Sequence, residues 1–238
     1  GSGNYVKMIH NGIEYGDMQL IAEVYDLLHT VGGLTNQELH QVFSEWNKGE
    51  LQSFLIEITA QIFAKRDERD GERFLVDQVL DKSGSKGTGK WTIQECADRG
   101  VPCPTMAAAL DARYLSSRKE ERVAASSVLA GPTGGSSTAN VDKQQLITDL
   151  KNALYCSKIC SYTQGMNVLR EASNEFGWDL NLGEISRIWK GGCIIRAVFL
   201  DRIKSAYDKN RDLPSLLMDG EFAREIAERQ ESWRRVVT

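Results

Sequence analysis

Proline and histidine are scarce in this chain, at four and three residues of 238, and each shortage excludes something. Helices can run uninterrupted between Pro102, Pro104, Pro132 and Pro214, and helical periodicity fills those gaps. The histidines show no HxxxH or HExxH spacing, so a zinc centre has no ligand set to stand on, and no metal is expected. Five cysteines (Cys96, Cys103, Cys156, Cys160 and Cys193) make an odd number without a CxxC pair. They read as small, mostly buried side chains rather than a disulfide framework, and free thiols point to a reducing compartment. No apolar run is long enough to span a membrane, and no signal peptide opens the chain. Period-2 alternation is missing too. Gly1-Ser2-Gly3 and Gly87-Thr88-Gly89 do not form GxGxxG after a strand, so no dinucleotide-binding domain can be placed here. Positive charge is not in excess: 29 Lys+Arg face 33 Asp+Glu, for a net charge of −4. Nucleic acid and membrane surfaces are therefore not expected partners, while a local basic pocket for an anion remains compatible.

What is present is helix. At 41% hydrophobic and 26% charged residues the chain has an ordinary globular composition, and its length allows a sizeable core. The first helix is predicted from Asn4, as N-cap, to Thr30, with Gly32-Gly33 as its stop. Gly12 and Gly16 inside it each cost about 1 kcal/mol relative to Ala, a cost that close approach of another backbone would justify. Thr35 followed by Glu38 is a capping box; the helix it opens places Leu39, Val42, Phe43 and Trp46 on one face. Further helices are predicted over Leu51–Phe63, Trp91–Asp98, Thr105–Ser127 and from Val141 onward with breaks at Gly177, Gly191-Gly192 and Pro214, and Trp189–Ile203 is read as a long apolar helix. Residues 130–140, AGPTGGSSTAN, read as a Gly/Ser/Thr-rich surface loop. Tyr15, Met18, Gly33, Leu39, Val42, Trp46 and Gly49 find counterparts after it in Tyr162, Met166, Gly177, Leu182, Ile185, Trp189 and Gly192. The expectation is an all-α fold with an internal duplication, two pseudo-symmetric helical halves about a two-fold axis.

Two constellations carry possible chemistry. In the opening VKMIHNGIEYGDMQ, Lys7, His10, Asn11 and Glu14 share one helical arc of about 100°, with Ile9 and Ile13 opposite. A base, two hydrogen-bonding groups and an acid in one stripe can reach one small molecule; a solvated helix face would look similar. In DKSGSKGTGKW, glycines on both sides of Thr88 open the backbone to an anion, and Lys86 and Lys90 supply charge. A helix starting near Trp91 would point its positive end at the same place. A polar turn before a helix is the plainer reading of KGTGK, which lacks P-loop spacing. Arg113, between Ala112 and Tyr114, can serve as a guanidinium fork for phosphate or sit in a surface ion pair. The five tryptophans read as core or dimer-contact residues.

Together VKMIHNGIEYGDMQ, LDKSGSKGTGKW, LDARYLSSRKEER, SKICSYTQGMN, RIWKGGCIIRAVFLDRI and SWRRVV closely resemble the decarboxylating 6-phosphogluconate dehydrogenases. The resemblance runs over almost all of residues 1–238 and is weakest at 130–140. It implies that Lys7 is the general base that takes the proton of the substrate's 3-hydroxyl. It makes Glu14 the general acid that protonates C1 after CO2 leaves. It assigns His10 and Asn11 to substrate binding, and Tyr15, Lys86, Thr88 and Arg113 to the phosphate end and other substrate contacts. The implied activity is oxidative decarboxylation of 6-phosphogluconate with NADP, in the oxidative pentose phosphate pathway, by a homodimer. The family's amino-terminal NADP-binding domain, and a terminal segment bearing an Arg and a His, are not matched. The chain is thus expected to be a helical substrate-binding and dimerisation domain over 1–238, inactive by itself, from the cytoplasm or a plastid. A helical domain from another β-hydroxyacid dehydrogenase, and a non-catalytic dimerisation module, are the alternatives. The chemistry requires Lys7 to be desolvated or near other cations, and Glu14 to be protonated, which Met18 and Ile21 would favour.

Overall fold

The computed structural model describes residues 1–131 and 141–238, so most of the loop expected at 130–140 lies outside the described residues. The chain opens with α1 (Ser2–Asp26), which continues through a π-helical turn over Leu27–Val31. Gly1, not Asn4, holds the N-cap position, and no side chain caps the helix. The wider turn closes where the Gly32 N–H donates to Leu27 O, and Gly33 reverses the chain at φ +62°. α2 (Asn36–Trp46) starts at the expected capping box: the Glu38 N–H donates to Thr35 Oγ1 and the Thr35 N–H to Glu38 Oε2 at 2.7 Å. It buries Leu39, Phe43 and Trp46. α3 (Phe54–Ala64) begins later than predicted because Ser53 Oγ accepts from the Ile56 N–H and sets the cap there.

α4 (Thr88–Asp98) and α5 (Pro104–Ser117) follow, then α6 (Lys119–Ser126). The single helix predicted over Thr105–Ser127 is thus two. Arg122 donates to Leu115 O and Ser116 O, carbonyls a continuing helix would have used. α7 (Lys143–Phe176) starts on Asp142, whose carboxylate accepts from the N–H groups of Gln144 and Gln145, and stops at Gly177 with φ +65°. α8 (Leu182–Trp189), α9 (Phe199–Lys209), α10 (Gly220–Glu228) and α11 (Gln230–Val237) complete the chain.

The continuous helix expected over Trp189–Ile203 is not formed. A turn at Lys190–Gly192, with Gly192 at φ +103°, ends α8, and after a second turn the chain bridges to the segment before α3. The Phe54 N–H donates to Arg196 O at 3.0 Å and the Val198 N–H to Gln52 O at 3.1 Å. The second bond is the first with the segments exchanged, residue 52 answering to 196 and residue 54 to 198. Such an exchanged pair is the pattern of any antiparallel bridge, here with Ser53 opposite Ala197. No sheet exists among the described residues, only isolated bridges at Ser53–Ala197 and Arg66–Phe74.

α1 and α7 cross at the centre with opposed chain directions. Ile13 lies against Gly165, Gly16 against Ser161, and Asp17 pairs with Lys158 at 2.8 Å. The two α1 glycines admit side chains rather than a backbone: a Cβ at Gly12 would strike Thr92 of α4, and one at Gly16 would strike Ser161. Around this crossing Ile9, Ile13, Leu28, Phe43, Ile159, Met166 and Phe199 form one core, each contributing about 1.5–3 kcal/mol by burial. All five cysteines are free. Among the described residues no helix is long and apolar enough to cross a membrane.

Candidate active site

The exposed edge of α1 faces the segment before α4 and the middle of α5 across a cavity of about 700 Å³. Lys7, Asn11, Glu14 and Tyr15 line it from α1, Lys86 and Thr88 from the KGTGK turn, and Arg113 from α5. Met18, Gly84 and Ser85 complete the lining. Seven of the eight residues singled out from sequence therefore share one cavity. His10 does not. It is 1% exposed, with its ring edge-on to Trp189 at 5.7 Å between centroids.

That burial gives His10 a different part to play. Desolvation lowers its pKa to about 4, outweighing the opposing hydrogen bond to Asn11, so the ring is neutral near pH 7. Its Nδ1 lies 3.1 Å from Asn11 Oδ1 and 4.0 Å from Glu14 Oε2, both acceptors, which selects the Nδ1–H tautomer. Lys7 Nζ donates to the same Asn11 Oδ1 at 2.7 Å. The Asn11 carbonyl oxygen is thus held by two neighbours, and its amide is turned for use as a donor. Lys7 itself is exposed, contrary to the burial that its expected role calls for. At Glu14 desolvation raises the pKa above the ordinary carboxylate value, Lys7 and Arg113 pull it down, and Asp17 adds a smaller upward push.

The turn before α4 is shaped by two glycines for two reasons. Gly87 is at the N-cap with φ +97°, a left-handed conformation that disfavours other residues. Gly89 has negative φ, but a Cβ there would collide with the Tyr15 ring. No side chain caps α4, so its first-turn N–H groups are open to an anion. Arg113 pins the loop, its Nε donating to Gly84 O at 2.7 Å while the guanidinium lies 4.7 Å over the Tyr15 ring. Tyr15 Oη is 3.4 Å from Ser85 Oγ, which also accepts from the Gly87 N–H at 3.2 Å. Ser85 was missed in the sequence because a serine between glycine and lysine carries no periodic signal. Three donor-rich segments and one half-buried acid around a cavity of this size can hold a small anion and hydrogen-bond it from several sides.

A second groove of about 580 Å³ shares Lys7, Asn11 and Thr88 and runs beneath Tyr5, Trp91, Phe176 and Trp178. Trp91, expected in the core or at a dimer contact, is half-exposed on its wall. The aromatic wall was illegible because Phe176 and Trp178 arrive from the far end of α7.

Residues 3–238 match the family described as "6-phosphogluconate dehydrogenase, C-terminal domain". The chain is 64% identical over its full length to 6-phosphogluconate dehydrogenase, decarboxylating 2, of Arabidopsis thaliana, and 65% identical to decarboxylating 1 of Oryza sativa. It covers 49% of each, so it spans about half the length of the curated relatives it matches. Relatives named as chloroplastic match at 62–63%. Among solved structures, Plasmodium falciparum 6-phosphogluconate dehydrogenase superposes with a TM-score of 0.91 at 54% identity, over 99% of this chain and 50% of that one. That protein is described in apo form, with its cofactor NADP+, and with its substrate 6-phosphogluconate. An all-helical fold, a cavity ringed by Lys7, Glu14, Lys86 and Arg113, and this match over nearly every residue lead to one assignment: the chain belongs to the 6-phosphogluconate dehydrogenase C-terminal-domain family.

Proposed function

We propose that this chain is the substrate-binding half of a decarboxylating 6-phosphogluconate dehydrogenase, converting 6-phosphogluconate to ribulose 5-phosphate and CO2 in the oxidative pentose phosphate pathway. The observation that carries the reading is the single cavity uniting Lys7 and Glu14 with Lys86, Thr88 and Arg113. Lys86, Arg113, Tyr15 and the open end of α4 hold the phosphate; a non-phosphorylated substrate would have no use for that charge. Asn11, oriented by His10 and Lys7, donates to a substrate oxygen. NADP, when bound, accepts the hydride from C3. No described residue offers the sheet and glycine loop that would hold a dinucleotide, so none is assigned to the cofactor.

Lys7 takes the 3-hydroxyl proton as C3 becomes a ketone. It can do so only as a neutral amine, so its exposed head must be desolvated by substrate and by the covering domain. The resulting β-keto acid loses CO2 with the ketone as electron sink, a step that needs no metal. Glu14, whose pKa burial raises above the ordinary carboxylate value, then delivers a proton to C1 of the enediol. A homodimer is part of the proposal. Leu115, Val123, Val128 and Leu129 are exposed on and beyond α5 and α6, and Asp81, paired with Lys119 and Arg122, brings exposed Val79 and Leu80 alongside. A second copy is the proposed cover, and sedimentation reads the outcome. Cytoplasm and plastid both fit the relatives.

Joined to the nucleotide-binding half of a relative, the chain should form NADPH and CO2 from 6-phosphogluconate; by itself it should form neither. A joined protein that binds both ligands yet yields no NADPH would overturn the reading.

A further inference from the structure

We propose that Ser85 is a phosphate ligand of this site in its own right, with Tyr15 acting on the anion partly through it. The inference rests on the substrate reading above and concerns a residue that the sequence did not single out.

A serine hydroxyl has one proton to give and two lone pairs to offer. One lone pair of Ser85 takes the Gly87 N–H at 3.2 Å, which fixes the oxygen within the turn. Tyr15 Oη stands 3.4 Å away, longer than a settled O–H···O bond, so neither hydroxyl proton is committed to the other. Both oxygens line the same cavity as Lys86, Thr88 and Arg113. The Arg113 side chain spends Nε on Gly84 O, one residue from Ser85, and no hydrogen bond engages its two terminal nitrogens among the described residues. An acceptor-only dianion entering between these groups draws their free protons to itself. With the Ser85 proton turned to a phosphate oxygen, Tyr15 donates to the anion or to Ser85 Oγ, and both hydroxyls are satisfied. The alternative role, a serine that only closes the turn by accepting from Gly87, predicts no preference for a phosphorylated ligand.

The two roles separate in calorimetric titrations of the 238-residue chain with 6-phosphogluconate, gluconate and inorganic phosphate. Ser85→Ala should weaken 6-phosphogluconate and phosphate by about tenfold, the low end for a hydrogen bond to a charged group, and leave gluconate within about twofold. Ser85→Thr, which keeps the hydroxyl, should restore binding to within about threefold. Tyr15→Phe should weaken phosphate less once Ser85 is already Ala than in the parent chain, because part of its effect runs through Ser85. Unchanged phosphate affinity in Ser85→Ala, equal loss for all three ligands, or no rescue by Thr overturns the proposal while leaving the cavity assignment intact. If the parent chain does not prefer 6-phosphogluconate to gluconate, or Arg113→Met does not erode that preference, the cavity assignment fails and this proposal with it.

Discussion

Lys7 and Lys158 sit on the two long helices that cross at the centre of the molecule, and their surroundings are opposite. Lys7 leans along α1 to Asn11, with its amine open to the cavity. Lys158 is 3% exposed and ion-paired to Asp17, itself 1% exposed, with Tyr162 donating to Asp17 and to Ile195 O. The tyrosines divide the same way: Tyr15 turns its hydroxyl toward Ser85 at the site, whereas Tyr162 is wholly enclosed. Desolvation and the Asp17 charge raise the Tyr162 pKa well above its ordinary value, so it stays a neutral donor. Matched residue types thus serve as working surface on the first long helix and as scaffold on the second. The scaffold encloses its charge beside a counter-charge, although Asp17 Oδ1 has no hydrogen-bond partner, and the working surface turns its polar groups to the cavity.

The largest effect should come from breaking the scaffold pair. Lys158→Met leaves the Asp17 carboxylate buried without its counter-charge and should cost about 3–5 kcal/mol in urea unfolding. Asp17→Leu combined with Lys158→Met should recover most of that loss, since a packed apolar pair often replaces a buried ion pair at little cost. A single variant no less stable than the parent would mean that Asp17 finds another partner, and the contrast with Lys7 would collapse.

His10 belongs to the scaffold despite its place in the opening stripe, and pH exposes this. Its folded pKa of about 4 lies below the ordinary value of 6.5, so the unfolded chain takes up a proton that the folded one refuses. The sign follows: this stability is complete above about pH 6.5 and is lost as pH falls toward 4, by about 3 kcal/mol in all. Glu14, whose folded pKa is raised, contributes the opposite slope, its share fading as pH rises through its folded pKa. Urea midpoints between pH 4 and 7 should fall with acidity in the parent and in Glu14→Gln, and flatten in His10→Gln. Parallel curves for parent and His10→Gln would place the imidazole in water.

Local signals were readable and distant ones were not. The capping box at Thr35–Glu38, the arc of Lys7, Asn11 and Glu14, and the glycines around Thr88 all act within a turn or two of themselves. The break at Arg118 depends on Arg122 folding back onto two carbonyls, which leaves the hydrophobic period unchanged. The break at Gly191-Gly192 was readable in its glycines, whereas the pairing beyond it with residues 52–54, which rules out a helix on to Ile203, was not. His10 shared its face with three cavity residues, but Trp189, far along the chain, decides that it is covered. Lys7 errs in the other direction: the expected desolvation is not supplied by this domain.

A smaller effect tests how tightly working surface and scaffold are fitted. Gly89→Ala gains helix propensity worth up to about 1 kcal/mol but forces a Cβ into the Tyr15 ring, a conflict worth about 1–3 kcal/mol. The net should be a modest destabilisation accompanied by weaker 6-phosphogluconate binding as Tyr15 is displaced. Gly3→Ala, with open space at its Cβ, should do neither and should stabilise α1 slightly. Equal unfolding midpoints for the two variants would show that the Tyr15 ring yields freely.

The smallest effect on stability belongs to the residue with the greatest expected effect on turnover. Lys7 is exposed, and its hydrogen bond to Asn11 at 2.7 Å lies on the surface, so Lys7→Met should shift the unfolding free energy by no more than about 0.5 kcal/mol. The same change in a protein completed by the nucleotide-binding half should lower turnover at least about a hundredfold, the scale of a lost general base, with substrate affinity within about tenfold. Lys158→Met makes the control, because identical chemistry at the crossing should cost about 3–5 kcal/mol of stability without removing a cavity group. If Lys7→Met turns over at nearly the parent rate, the base lies elsewhere. If it instead destabilises as Lys158→Met does, the opening stripe is scaffold, and the division between the two helices is drawn in the wrong place.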